Sequence, residues 1–368
     1  MTNDTTFHHF PEFQTALIIW LYFPPLLIVI GTITNLMSIV VLLRKSMRTS
    51  NTMFYLLVLS VGDIFVLFTG LLRYWLKFGF DKDIRLISDP FCKFHGFLVY
   101  VSLDFTAWIL VAVTVDRCFA ICNPFKAKVV CTRKVAKCTV GIILVALIAI
   151  NGHLFWTLAI EDLADEIQCT AVTTFGNAIW PWMDFSVFSA LPFSIMIASD
   201  IIIVRQLCRS SRKLEAHRMS DRAGCLPDKS GIAKINSDGL STTNRIRLTS
   251  NSSSKSGSGR NMVRQRMGKI SNVTLMLLSV NCLFLVLTAP IVIYLIGYMD
   301  WYVNVSDHAR AKMNLLWCFC NMMQYLNNSI HFFIYCLTGP KFRRELKAMF
   351  TKGNRVSMTE QVSGTELY

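Results

Sequence analysis

Seven stretches of this chain are each long and apolar enough to cross the roughly 30 Å hydrocarbon core of a bilayer as helices. They run from about Leu17 to Leu43, Met53 to Leu76, Phe91 to Ile121, Val135 to Ile160, Ile179 to Leu207, Val273 to Gly297 and Met313 to Leu337. Lipid offers the backbone no hydrogen-bond partner, so a segment inside it closes its own bonds as a helix. The expected fold is therefore an all-α membrane protein, a seven-transmembrane helix bundle over residues 17–338. At 53% hydrophobic against 16% charged, the 368 residues do not suit a pair of soluble domains.

Lysine and arginine orient the bundle, because short cytoplasmic loops carry the positive excess. Arg44, Lys45 and Arg48 follow the first stretch, Lys126, Lys128, Arg133, Lys134 and Lys137 follow the third, and the Arg205–Lys269 connection is basic too. Asp81, Asp83 and Asp89, then Glu161, Asp162, Asp165 and Glu166, and finally Asp300 and Asp307 fall on the other, extracellular side. Residues 1–16 then lie outside and the C-terminus inside, in a multi-pass plasma-membrane protein. The first stretch is too long for a signal-peptide core and is expected to act as its own signal. The net charge of +14 marks this topology and suits anionic inner-leaflet lipid and cytosolic partners, not nucleic acid. Asn3 and Asn304 begin the glycosylation sequons on the outer side. Of twelve cysteines only Cys92 and Cys169 face the oxidising compartment, where a disulfide would tie the loop after the fourth stretch to the top of the third.

Between about 210 and 265 the apolar pattern yields to Ser, Gly, Asn and basic residues, the composition of a disordered cytoplasmic loop. After Gly339-Pro340, a basic amphipathic helix over 339–350 puts Phe342, Leu346, Met349 and Phe350 on one face suited to a membrane surface, and 351–368 form a tail. Within the stretches, ionisable residues are the informative exception, since a charge at mid-bilayer costs roughly 2.5–3.5 kcal/mol even on the gentler insertion scale. Asp116 and Arg117 end the third stretch as a pair that reads as a switch at the membrane surface. Asp63, Asp104, Asp184 and Asp200 are further acids along the spans.

In order and topology these residues resemble the rhodopsin-like (class A) G-protein-coupled receptors over almost the whole chain. Asn35 in Gly31-Thr32-Ile33-Thr34-Asn35, Asp63 in Leu59-Ser60-Val61-Gly62-Asp63, Cys92, Asp116-Arg117-Cys118, Pro192, Phe284 with Pro290, and Tyr335 each match a family motif. The departures are Cys118 for Tyr, Thr288 for Trp, Asp200 for Tyr and His331-Phe332 for Asn-Pro. Leu287-Thr288-Ala289-Pro290 and the segment Asn328–Tyr335 look most like invertebrate neuropeptide receptors, including those for FMRFamide-like peptides.

The resemblance implies a receptor, not an enzyme, that binds an extracellular neuropeptide and activates heterotrimeric G proteins through outward movement of the sixth helix. Receptor kinases and arrestin are further partners it implies. Asp116, Arg117, Asp200 and Tyr335 would form the G-protein switch. No acid lies between Arg260 and Thr274 to restrain Arg117, leaving a hydrogen bond to Thr274 or Ser271 as the substitute, and Asp200 would capture Arg117 when the bundle opens. Asn35, Thr106, Asn327 and His331 are the implied neighbours of Asp63 in a polar core. That core holds either a sodium ion, the one candidate cofactor, or a hydrogen-bonded structural Asp; a protonated His331 would take the cation's place.

Arg73, Lys77, Val99, Tyr100, Asp104, Asp184, Tyr294 and Tyr298 are the candidate ligand positions. Val99 stands where amine receptors carry an Asp, which disfavours a small amine. Asp104 and Asp184 are expected to face one another, and either share a proton or await a cation, such as the Arg of an Arg-Phe-amide terminus. The alternatives are a transporter or channel using the buried acids, or a receptor for a small non-peptide ligand. No repeated half supports a transporter, and no His-Glu-x-x-His, Gly-x-Ser-x-Gly or Cys-x-x-Cys supports an enzyme or a metal site.

Overall fold

The computed structural model describes residues 9–163, 166–223, 254–301 and 305–363. Seven long helices run through the described residues: Pro11–Leu42, Asn51–Phe80, Asp89–Cys122, Arg133–Thr157, Phe175–Arg212, Ser254–Trp301 and Asp307–Thr338. Six of them carry a stretch long and apolar enough to cross a membrane. The seventh is less apolar because it buries a polar face of Asn321, Gln324, Asn327, Asn328, Ser329 and His331. The first helix illustrates how a lipid-facing sequence sorts itself: Trp20, Pro24, Ile28, Gly31 and Asn35 recur at helical spacing on the buried side. Ile18, Tyr22, Leu26, Val29 and Ile33 point outward.

Local chemistry sets the helix ends. Ser88, Thr132 and Ser306 accept the backbone N–H of Phe91, Val135 and Ala309 at 3.4, 3.3 and 3.3 Å, capping the third, fourth and seventh helices. Asp81, at φ 53°, takes the left-handed conformation that stops the second. Gly31 and Gly70 are among the glycines that permit close packing. A Cβ on Gly31 would sit 2.6 Å from Leu67 Cδ1 and 2.7 Å from Ser329 Oγ, and one on Gly70 would sit 2.5 Å from the Tyr325 hydroxyl. The first, second and seventh helices therefore meet at distances that admit no side chain at these points.

The structure departs from the sequence expectation at several ends. The fourth helix stops at Thr157 instead of reaching Ile160, and Leu158–Leu163 forms a strand, β1, paired antiparallel with β2, Glu166–Ala171. Leu158, Ala159 and Ile160 continue the apolar run, and a short apolar run does not distinguish strand from helix. The fifth helix begins at Phe175, four residues before the expected Ile179. It continues through Ala223, and the sixth starts at Ser254, so part of the expected 210–265 loop is helical. Extending a formed helix is far easier than nucleating one. Residues 224–253 lie outside the described residues.

The last helix runs Pro340–Ser363, past the expected end at residue 350. Its apolar face turns inward at first: Phe342 is 2% exposed and stacks edge-on against Tyr335 at 5.6 Å, while Leu346 and Met349 pack on the core. Phe350 alone of that expected face is exposed. Arg44 pairs with Glu345 at 2.9 Å, and Arg343 Nη1 donates to the carbonyls of Cys336 and Leu337 at 2.9 and 2.6 Å, satisfying the end of the seventh helix.

Candidate functional site

Three polar sites lie along the bundle, joined by the 34-residue third helix. At the end it shares with Asp116, the Arg117 guanidinium grips the neighbouring carboxylate, with Nη2 at 2.6 Å and Nε at 3.2 Å from Oδ2. Asp116 is 9% exposed and Arg117 22%, so the pair is shielded without being sealed. Arg117 bonds to Asp116, and the side chain of Ser271, one of the two expected substitutes for a restraining acid, lies outside the described residues. A few steps up the helix, Thr114 leads to a second feature. Asn281 of the sixth helix donates to Thr114 Oγ1 at 2.9 Å and to Asp200 Oδ1 at 3.0 Å. One fully buried amide thus fastens the third, fifth and sixth helices together. Asp200, expected to capture Arg117 only when the bundle opens, accepts from Asn281 here. Tyr335 is 0% exposed with its hydroxyl unpartnered, stacked parallel to His331 at 6.3 Å.

Midway, Asp63 is 0% exposed and both its oxygens are occupied. Asn328 Nδ2 donates to Oδ1 at 2.8 Å, and His331 Nδ1 stands 2.8 Å from Oδ2, where a carboxylate demands a donor. Of the expected neighbours His331 bonds to Asp63, while Asn328 was not among them. Asn35 donates instead to the backbone carbonyls of Gly31 and Asn328, at 2.9 and 2.8 Å, and Thr106 to that of Leu103 at 2.8 Å. Asn327, 3% exposed, leaves its Oδ1 unpartnered. Asn328 and His331, three apart on one helix face, are the pair that reaches Asp63.

At the opposite end the Cys92–Cys169 disulfide, with Cα atoms 5.8 Å apart, joins β2 to the third helix. A lone two-stranded hairpin is marginal in water, and this one is pinned twice more. Asp89 Oδ1 accepts the N–H of Ile160 at 3.1 Å, and Arg85 Nη1 donates to the carbonyl of Cys169, also at 3.1 Å. Asp83 holds Arg85 in place through a contact of 2.6 Å. Burial pushes the Asp83 carboxyl up, but the hydrogen bonds and charge of Arg85 outweigh it and leave it at about 2. The stability this pair adds is present above the ordinary carboxylate range and lost as pH falls toward 2.

Below the hairpin, Asp104 is 1% exposed and accepts Asn151 Nδ2 at 2.9 Å, while its second oxygen is unpartnered. Asp184 is near enough to act on it electrostatically. Tyr100 meets Trp180 edge-on at 5.6 Å. Arg73 is buried with its guanidinium carbon 4.0 Å above the Tyr74 ring, and Lys77 lies 5.9 Å from the Phe78 ring centre. Val99 is half-buried, and Tyr294 is buried beside Ile291, Val292 and Cys320. The side chain of Tyr298, and Asn3 and Asn304 altogether, lie outside the described residues.

Asn151, Asn281 and Asn328 are the site residues that the sequence reading missed. The one available signal was an amide inside an apolar helix, and Asn328 and Asn281 each sit on the same face as a motif residue, Tyr335 and Phe284.

The comparisons with known proteins agree with this geometry. The FMRFamide receptor of Drosophila melanogaster is 22% identical over 88% of this chain, which spans about half, 52%, of that receptor's length. The thyrotropin-releasing hormone receptor of Gallus gallus is 26% identical over 87% of this chain and 75% of its own. The growth hormone secretagogue receptor type 1 of Oryctolagus cuniculus is 28% identical over 50% of this chain and 52% of its own. The model of the 7 transmembrane receptor (rhodopsin family) matches residues 34–335, from the buried face of the first helix to Tyr335. The transporter and channel alternative is thereby overturned, and so is an enzyme: the chain belongs to the rhodopsin family of seven-transmembrane receptors.

Proposed function

We propose that the protein is a plasma-membrane receptor for an extracellular peptide, with its N-terminus outside, and that it activates heterotrimeric G proteins at the Arg117 end. The carrying observation is that one helix, Asp89–Cys122, bears the disulfide-pinned end with the buried acid Asp104 and, at its other end, the Asp116–Arg117 pair. Its 34 residues span about 51 Å at 1.5 Å each, enough to link the two faces of a bilayer. Relatives named for short peptides support the ligand class. The acids Asp104 and Asp184 favour a basic group on that peptide. Receptor kinases, arrestin and inner-leaflet lipid belong to the same proposal, the last supported by the basic start of the final helix.

The test is nucleotide exchange by a reconstituted G protein in response to a panel of amidated neuropeptides. Activation by a peptide is the expected result, and activation by amines or lipids alone would sink the reading.

Asp200 has two partners in this scheme: Asn281 in the closed bundle and Arg117 in the open one. Asp200→Asn keeps an acceptor for Asn281 but cannot pair with a guanidinium. Its maximal peptide response is expected to fall severalfold at equal surface level, with basal exchange unaltered. An unchanged maximum removes Asp200 from the switch.

We also propose that His331 and Asn328 stand in for the sodium ion at Asp63. Replacing sodium chloride by N-methylglucamine chloride is then expected to leave peptide potency unchanged; a reproducible shift in potency points to a bound cation instead.

A further inference from the structure

We infer that Arg73 anchors a carboxylate carried by the ligand, at a subsite separate from the acid pair Asp104 and Asp184; the inference rests on the peptide-receptor reading above. Arg73 is only 9% exposed, yet among the described residues it enters no ion pair and its Nε has no hydrogen-bond partner. The contact it makes is with an aromatic face, at 4.0 Å from the Tyr74 ring centre. Asp83 is the acid that acts on it from a distance. Both Asp83 oxygens are already committed to Arg85: Oδ1 accepts its backbone N–H at 3.0 Å and its Nε at 3.1 Å, and Oδ2 accepts Nη2 at 2.6 Å. A buried guanidinium with no counter-anion is expensive, and arginine is almost never buried unless paired.

The surroundings fit an anion that arrives from outside. Tyr100, Tyr325 and His95, on the third and seventh helices, complete the environment of Arg73. Its planar fork of N–H donors matches a carboxylate with two parallel hydrogen bonds, and the aromatic walls keep the local dielectric low. A π-helical turn, Leu67–Leu71, lies just before Arg73 and turns the end of the second helix relative to Asp63. Such turns are frequent at functional sites. Tyr100 is one turn from Asp104 and feels the charges of both Arg73 and Asp184, so the positive and negative subsites share a wall. A ligand bridging them carries a basic group and a carboxylate close together, the latter from an acidic side chain or a free C-terminus.

Two measurements on the full-length protein test this. The first needs no ligand: thermal unfolding of the detergent-solubilised receptor. Arg73→Met, similar in volume, is expected to unfold at the same temperature as the parent or higher, because an uncompensated charge has gone. A clear drop means that Arg73 is a structural residue and overturns the inference. The second uses synthetic Arg-Phe peptides, each made with a free or amidated C-terminus and with Glu or Gln upstream, and reads nucleotide exchange. The parent is expected to prefer a carboxylate-bearing member by tenfold or more, the Glu and C-terminal arms showing which carboxylate counts. Arg73→Gln should erase that preference and leave the response to the neutral member intact. No preference in the parent, or a preference that survives Arg73→Gln, overturns the inference. If no member activates the parent, Arg-Phe peptides are not its ligands and the unfolding comparison decides Arg73 on its own.

Discussion

Asn281→Leu is expected to raise ligand-free nucleotide exchange by about ten- to hundred-fold, the equivalent of about 1.5–3 kcal/mol for a hydrogen bond to a charged group. Asn281 is the sole residue seen to bond both Thr114 and Asp200, at 2.9 and 3.0 Å, and so to tie the third, fifth and sixth helices in one place. Leucine has nearly the same volume and fills the same buried space, so packing is spared while the clasp is lost. Asp200 is left without its donor and becomes free to meet Arg117. The closed bundle loses this energy and the open one does not, which moves the population toward opening. The measurement is basal exchange at matched surface level, with thermal unfolding as a check on folding. Basal exchange equal to that of the parent would show that the clasp does not hold the bundle closed.

Asp63→Ala carries the other large effect, on folding. Its carboxylate receives Asn328 at 2.8 Å and faces His331 at 2.8 Å with no exposure to solvent. Alanine leaves two buried donors without an acceptor, and breaking a buried pair from one side costs about 3–5 kcal/mol. That is comparable to the whole stability of many proteins, so most of the variant is expected to be retained inside the cell. Asp63→Asn keeps the shape and one acceptor, and should reach the surface in intermediate amount. Surface labelling beside total protein distinguishes the cases; an Asp63→Ala variant that reaches the surface normally would rule out Asp63 as the keystone of the polar core.

The bundle was readable from sequence because lipid imposes a strict rule on backbone hydrogen bonds, and long apolar runs obey it. The charge asymmetry of the loops and the pairing of Cys92 with Cys169 were open to the same reasoning, since compartments constrain both. Contacts between helices were not. Asn327 and Asn328 are adjacent in sequence, and which of them faces Asp63 depends on how the seventh helix is rotated. Asp104 was expected to look toward Asp184, and the hydrogen bond it also accepts from Asn151 was not foreseen, because the apolar run Val140–Ile150 before Asn151 has no charge to announce a polar contact. β1 was hidden because Leu158, Ala159 and Ile160 read as the tail of a span. The inward turn of Phe342 follows from Tyr335, a residue in another helix.

The two tight glycines give the bundle unequal halves. Where Gly31 and Gly70 let neighbours in, the first, second and seventh helices behave as a single slab: sliding one past another would drive Leu67, Ser329 or Tyr325 into backbone. The third, fifth and sixth helices are joined by a hydrogen-bonded amide, which lets go and re-forms without deforming a packed surface. The contacts thus differ in kind at these two seams, steric at one and exchangeable at the other, while Gly62, where a Cβ would sit 2.9 Å from Thr106 Cγ2, keeps the third helix close to the second. Asp63 and Arg73 ride on the fixed slab, and Arg117 on the lever beside it.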